Sequence, residues 1–218
     1  MRFSALLVAM FIFASVTAYG NELTCNSENI SEAKLLKQAS HGAERIGKHT
    51  LKVKFTKGMK KFIDKPPHEE LSGVHWHYCG YDKKAKAHLI GKSDYSLFTG
   101  SMLFDETGIV INAGHTVLFS PDMKKLVAIE QEDGVDGENW SLIEVSGRRL
   151  WNGYAGITRR IANNTYDSVY AQFEHPRWDK NSNLTADFVC SGGSAVKGVV
   201  ILRNIGGSWK WAPHYDCR

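Results

Sequence analysis

The chain has 218 residues, a formal net charge of +4 and 43% hydrophobic residues, enough for one sizeable core or two small ones. The charge is unevenly spread: residues 34–92 hold 14 Lys/Arg against 5 Asp/Glu, and residues 94–144 hold 2 against 10. That polarity can steer a charged partner, but without a basic motif of a known reader in an exported chain, nucleic acid is not an expected one.

Residues 1–20 have the layout of a signal peptide. Arg2 supplies the positive start, "ALLVAMFIFA" the apolar run and "VTA" or "AYG" a small-residue cleavage site, whereas a membrane span needs a longer run with different flanks. Residues 21–218 are then expected to form one mostly β exported domain, periplasmic or secreted, without a transmembrane anchor. Its four cysteines, Cys25, Cys79, Cys190 and Cys217, read as two disulfides in an oxidising compartment, with three connectivities open. Pairing Cys25 with Cys79 and Cys190 with Cys217 is the expectation, because it ties both ends of the mature chain to the sheets.

Ser31 is placed to cap a helix over 32–46, with Leu35, Leu36, Ala39, Ala43 and Ile46 along one side and Gly47 as its stop. The period then changes. In "TLKVKFTKG", Leu51, Val53 and Phe55 alternate with lysines, the pattern of a strand with one wet face. The lysine-rich stretch 48–65 is a solvated face or a contact for anionic cell-wall polymer or membrane headgroups. On a strand, "VHWHYCGYD" puts His75, His77 and Cys79 on one side and Val74, Trp76 and Tyr78 on the other. Two imidazoles there could bind zinc with His115 or His175 as a third ligand, but a plain strand is expected and no metal is assigned. Cys79 could serve as a thiol nucleophile only if it were unbridged.

From "YSLFTGSMLF" onward, short strands alternate with turns: "DETG", "PDMK", "DGVDG", "GRR" and "GG" separate "IVINAG", "HTVLFS", "KLVAIEQE", "NWSLIEVS", "LWNGYAG", "SVYAQF", "LTADFVC", "GVVILRNI" and "SWKWAP". This spacing predicts a mainly β fold of antiparallel meanders, propeller-like or sandwich, behind one N-terminal helix. Residues 116–151, "TVLFSPDMKKLVAIEQEDGVDGENWSLIEVSGRRLW", resemble a β-propeller blade: strand, SPD turn, strand, acidic turn, strand and Gly turn. The likeness implies consecutive hairpins there.

The stretch "IEQEDGVDGENW" concentrates acids and glycines between two strands. Asp133, Asp136 and Glu138 supply some of a calcium loop's oxygens, but their spacing departs from D-x-D-x-D-G. A hairpin connection with glycines at positive φ is expected instead, without cofactor. Trp140 is expected to anchor the core, as are Trp209 and Trp211 on one face of the last strand. No G-x-S-x-G elbow surrounds Ser191 or Ser194. The functional expectation is an exported, non-catalytic binding protein, an inhibitor or immunity protein that blocks a toxin or cell-wall hydrolase. Glu130, Glu132, Asp133, Asp136 and Glu138 would face a basic surface on that protein partner. The alternative is an exported cell-wall hydrolase using His75 or His77 with acids from the 130s.

Overall fold

The computed structural model describes residues 21–25, 31–39, 42–69, 72–95, 97–131, 137–160, 167–192 and 195–217. The stretch 1–20, expected to be a signal peptide, and residues 132–136 of the expected acidic turn lie outside them. Among the described residues the fold is mainly β, with antiparallel sheets and one helix. No helix among them is long and apolar enough to cross a membrane.

The chain opens with β1 (Glu22–Thr24) and α1 (Glu32–Gln38), then β2 (Ala43–Ile46), β3 (Thr50–Phe55) and β4 (Gly58–Ile63). The predicted helix is therefore cut short. Its apolar side survives as Leu35, Leu36 and Ala39, but Gly42 follows, and Ala43–Ile46 pair with Thr50–Val53 as a strand. Seven helical residues are too few to hold against that ladder. Ser31 takes the N-cap position without a side-chain bond; its carbonyl instead accepts from the amides of Lys34 and Leu35. Gly47, at φ +61, turns β2 into β3 rather than ending a helix.

A second meander follows in β5 (Val74–Asp82), β6 (Ala87–Asp94), β7 (Leu97–Phe104) and β8 (Val110–Asn112), and a third in β9 (Thr116–Phe119), β10 (Lys125–Gln131), β11 (Glu138–Glu144) and β12 (Arg149–Tyr154). The last comprises β13 (Gly156–Arg160), β14 (Asp167–Trp178), β15 (Leu184–Cys190), β16 (Val196–Ile205) and β17 (Ser208–Ala212). Every strand pairing is antiparallel, and within each meander neighbours follow chain order. β1 crosses over to pair with β9. The β1–β9 ladder joins β10 through the amide of His115 to the Ile129 carbonyl and the amide of Ser120 to the Lys125 carbonyl, both 2.9 Å. The hairpins expected over 116–151 are thus present.

The four meanders stack face to face in this order, and each interface has its own core. Leu51, Val53 and Phe62 meet Tyr78, Ile90 and Leu103 at the first. Leu89, Met102 and Phe104 meet Val117, Phe119 and Leu126 at the second. Ile129, Trp140 and Leu142 meet Phe173, Leu184 and Phe188 at the third. Alternation explains how one strand serves two cores: along β10, Leu126 and Ala128 face the second while Val127 and Ile129 face the third. The run "LVAI" is continuously apolar because both of its faces are covered.

Two disulfides fasten this stack, Cys25–Cys79 and Cys190–Cys217, with no free cysteine among the described residues. Both match the expected pairing. The first holds β1 against β5. The bridged Cys79 sulfur is no longer a thiol nucleophile.

Candidate functional site

The third interface does not close at one end. A cleft of about 440 Å³ opens there, lined among others by His115, Glu138, Trp140, Tyr154, Glu174 and His175. Its members come from four places, Tyr154 being the last residue of β12. His115 precedes β9, Glu138 and Trp140 begin β11, and Glu174 and His175 sit in the middle of β14.

The floor is aromatic. Trp140 is fully buried, as expected of a core anchor, and its ring meets Trp211 edge-on at 6.0 Å. Trp211 also packs on Phe173 at 4.8 Å and Trp151 at 5.8 Å, so the terminal tryptophans pack against the core as expected. Trp140 does a second job: its indole N–H donates to Glu138 Oε2 at 2.8 Å. A hydrogen bond to an ionised acceptor from so rigid a donor fixes the carboxylate at the cleft.

Gly137 lets the chain arrive there. Its φ of +146 is closed to most side chains, and a Cβ would come within 2.5 Å of the Tyr154 ring. The turn glycine predicted to bend the backbone is therefore also a packing surface for Tyr154.

Opposite, β14 is irregular. Its register with β15 shifts between Glu174 and Arg177, and His175 takes φ +49. Pro176 lacks a ladder donor, which suits a bulge. The bulge projects His175, 73% exposed, and its Nδ1 lies 3.1 Å from Asp187 Oδ2. Arg177 Nη2 donates to the other Asp187 oxygen at 2.7 Å. Burial alone would push the Asp187 carboxyl up, but these two bonds outweigh it and hold the carboxyl below its ordinary value.

His115 is held below its ordinary pKa chiefly by burial, while the charges of Glu138 and Glu130 pull the other way. Both carboxylates therefore lie close enough to act on one imidazole. They stand on opposite faces of the β10–β11 ladder, however: Glu138 pairs with Gln131 and Glu130 with Asn139, one position apart. Glu132, Asp133 and Asp136, the other expected partner-binding acids, lie outside the described residues.

Of the histidines weighed for metal binding or hydrolysis, His115 and His175 share this cleft, whereas His75 and His77 lie apart from it. His75 Nε2 lies 2.9 Å from the carbonyls of Glu69 and Ser72. His77 lines a separate, smaller cleft with Glu32 and Phe98, and burial pushes its pKa down. No acid of the 130s shares that cleft among the described residues. Nor do three or more His, Cys, Asp or Glu side chains among them come close enough to hold a metal ion.

Searches against family models, curated proteins and solved structures gave no match. The chemistry of the cleft must then be read from its own residues. Glu174 and Tyr154 were not singled out in the sequence; the one signal for this region was the proline inside "FEHPRW", which marks a bulge in a strand.

Proposed function

We propose that this protein is an exported, non-catalytic binding protein, an inhibitor or immunity protein that blocks a toxin or cell-wall hydrolase. The partner places a cationic side chain in the cleft beside Glu138 and Glu174. The observation that carries this reading is the pairing of two carboxylates with an aromatic floor in one open cleft. Carboxylates attract a guanidinium or ammonium group, and the half-buried Tyr154 ring at the cleft gives its stem an apolar surface. Glu130 adds negative charge on the same hairpin, and Glu132, Asp133 and Asp136, next in sequence, add to a net charge that would speed encounter with a basic surface. Two disulfides suit an oxidising compartment.

The test is capture of exported proteins from the source organism on the immobilised protein and on a Glu138→Lys/Glu174→Lys variant. A basic partner retained by the parent and lost from the variant, with the variant's fold intact by circular dichroism, supports the proposal. Equal retention by both removes the cleft as the interface.

One observation favours a second reading. His175, paired through Nδ1 with Asp187, leaves Nε2 at the rim of the same cleft, so a cell-wall hydrolase would use this imidazole rather than His75 or His77. Turnover of peptidoglycan by the purified protein, abolished by His175→Ala, would replace binding with hydrolysis.

A further inference from the structure

The β2–β3–β4 sheet buries one face only. Register separates its residues cleanly: Ala43, Leu51, Val53 and Phe62 turn inward onto the first core. The opposite face carries Ile46, Thr50 and Ile63 in one cross-strand row, Glu44, Lys52 and Lys61 in the next, and Lys54 beside Met59 in the third.

This outer face is unusual in two respects together. Ile63, Met59 and Ile46 are 57%, 50% and 42% exposed, large aliphatic side chains on a face that no other element covers among the described residues. Between them stand Lys52, Lys54 and Lys61 against a single carboxylate, Glu44, which lies 4.0 Å from Lys52. Lys48 and Lys57 extend the positive rim from the two turns, both exposed.

We infer that this face docks on an anionic lipid surface, with the lysines at the headgroups and Ile46, Met59 and Ile63 entering the boundary with the acyl chains. The charge imbalance calls for an anionic partner. The aliphatic side chains decide which kind. A soluble polyanion would engage the lysines and gain nothing from them, whereas an interfacial bilayer site uses both, apolar area and attraction to anionic headgroups adding together. The cleft lies at the third interface and this sheet at the first, so the lipid contact does not depend on the partner proposed above.

The experiment is co-sedimentation with phosphatidylcholine vesicles, with and without phosphatidylglycerol, at low and high salt. Parent and variants are recovered after export and shown by intact mass to share one N-terminus. Binding to phosphatidylglycerol vesicles is expected, weakening with salt. Lys52→Glu/Lys61→Glu should lower the partition coefficient roughly tenfold or more. Met59→Ser/Ile63→Ser should also lower it several-fold, although its charge is unchanged. All four positions face solvent at least in part, and melting curves confirm that each variant folds. Lys210→Glu, on another sheet, is the control and should reduce binding far less. Three results would each overturn the inference: equal binding to neutral vesicles, no binding at all, or a Met59→Ser/Ile63→Ser variant that binds as the parent does. In the last case, competition by soluble polyphosphate would assign the face to polyanions instead.

Discussion

Single residues carry the local logic of this fold, and two of them yield direct tests. Gly137 joins a backbone angle that favours glycine to contact with the Tyr154 ring. Gly137→Val should therefore destabilise the protein by about 2–4 kcal/mol, the sum of backbone strain and overpacking, measurable by urea unfolding. A loss below about 0.5 kcal/mol would mean that the bend is made elsewhere. His88 is 4% exposed, and its Nδ1 is hydrogen-bonded to the Tyr78 hydroxyl at 2.9 Å. Burial pushes its pKa from 6.5 down to about 4, against the weaker pull of Asp105. The unfolded state therefore binds a proton more readily than the folded one. Stability from this group is complete above pH 6.5 and is lost as the pH falls through 4, by up to about 3 kcal/mol. Melting temperature should decline across that window. His88→Gln should flatten the decline relative to the parent, and an unchanged slope would contradict the assignment. Sequence patterning could not single out His88, since alternation marks a position as inward without showing which partners wait there.

At the scale of elements, α1 and the edge of β5 illustrate what sequence does and does not reveal. Leu35, Leu36 and Ala39 announced a helix, but not where it would yield to a strand, because Ala43 fits the inward side of either. What holds the short helix is polar and non-local. Arg45 donates to both Glu32 oxygens, at 3.0 and 3.1 Å, and to the Trp76 carbonyl. Glu32 also accepts the Tyr78 amide at 2.7 Å, and Asp64 the Trp76 amide at 2.9 Å. These side chains occupy the β5 edge that β6 leaves open, and so block its pairing with another chain. Arg45→Ala removes the bridge and leaves Glu32, the buried Asp64 that Arg45 approaches to 3.7 Å, and the Trp76 carbonyl without its guanidinium. It should cost about 2–4 kcal/mol. Glu44→Ala, which breaks only an exposed pair, should cost under about 0.5 kcal/mol. Similar losses from the two would show that the bridge adds little. The meander of β9 to β12 was far more legible, because its short apolar runs, such as "TVLF" and "KLVAI", are bounded by turn residues close in sequence. The cleft beside it was not: Glu138 and Glu174 are far apart in sequence and meet only through sheet stacking.

For the molecule as a whole, the two disulfides act at different points of the stack. Cys25–Cys79 ties β1, which pairs with β9 of the third meander, to β5 of the second. Cys190–Cys217 ties the last described residues to β15 of the fourth. Cys25–Cys79 spans 54 residues and Cys190–Cys217 spans 27, so each restricts the unfolded chain by about 3–4 kcal/mol. Replacing the Cys25–Cys79 pair by serine should lower stability by that order and raise hydrogen exchange in β9, whose outer edge β1 covers. Unchanged exchange there would mean that β1 docks without its bridge. The charge map also belongs to this scale. The basic stretch becomes the open face of the first sheet, while Glu138, from the negative half of the chain, lines the third interface's cleft with Glu174. The central claim, that this acidic end meets a basic partner, is tested most directly by association kinetics. With a captured partner, the on-rate is measured at two ionic strengths for the parent and for a Glu132→Lys/Asp133→Lys/Asp136→Lys variant. Steering by charge predicts a slower on-rate and a flatter salt dependence in the variant, with dissociation less affected, because attraction fades as salt shortens the Debye length from about 10 Å at 0.1 M. An on-rate and salt dependence identical to the parent's would contradict it.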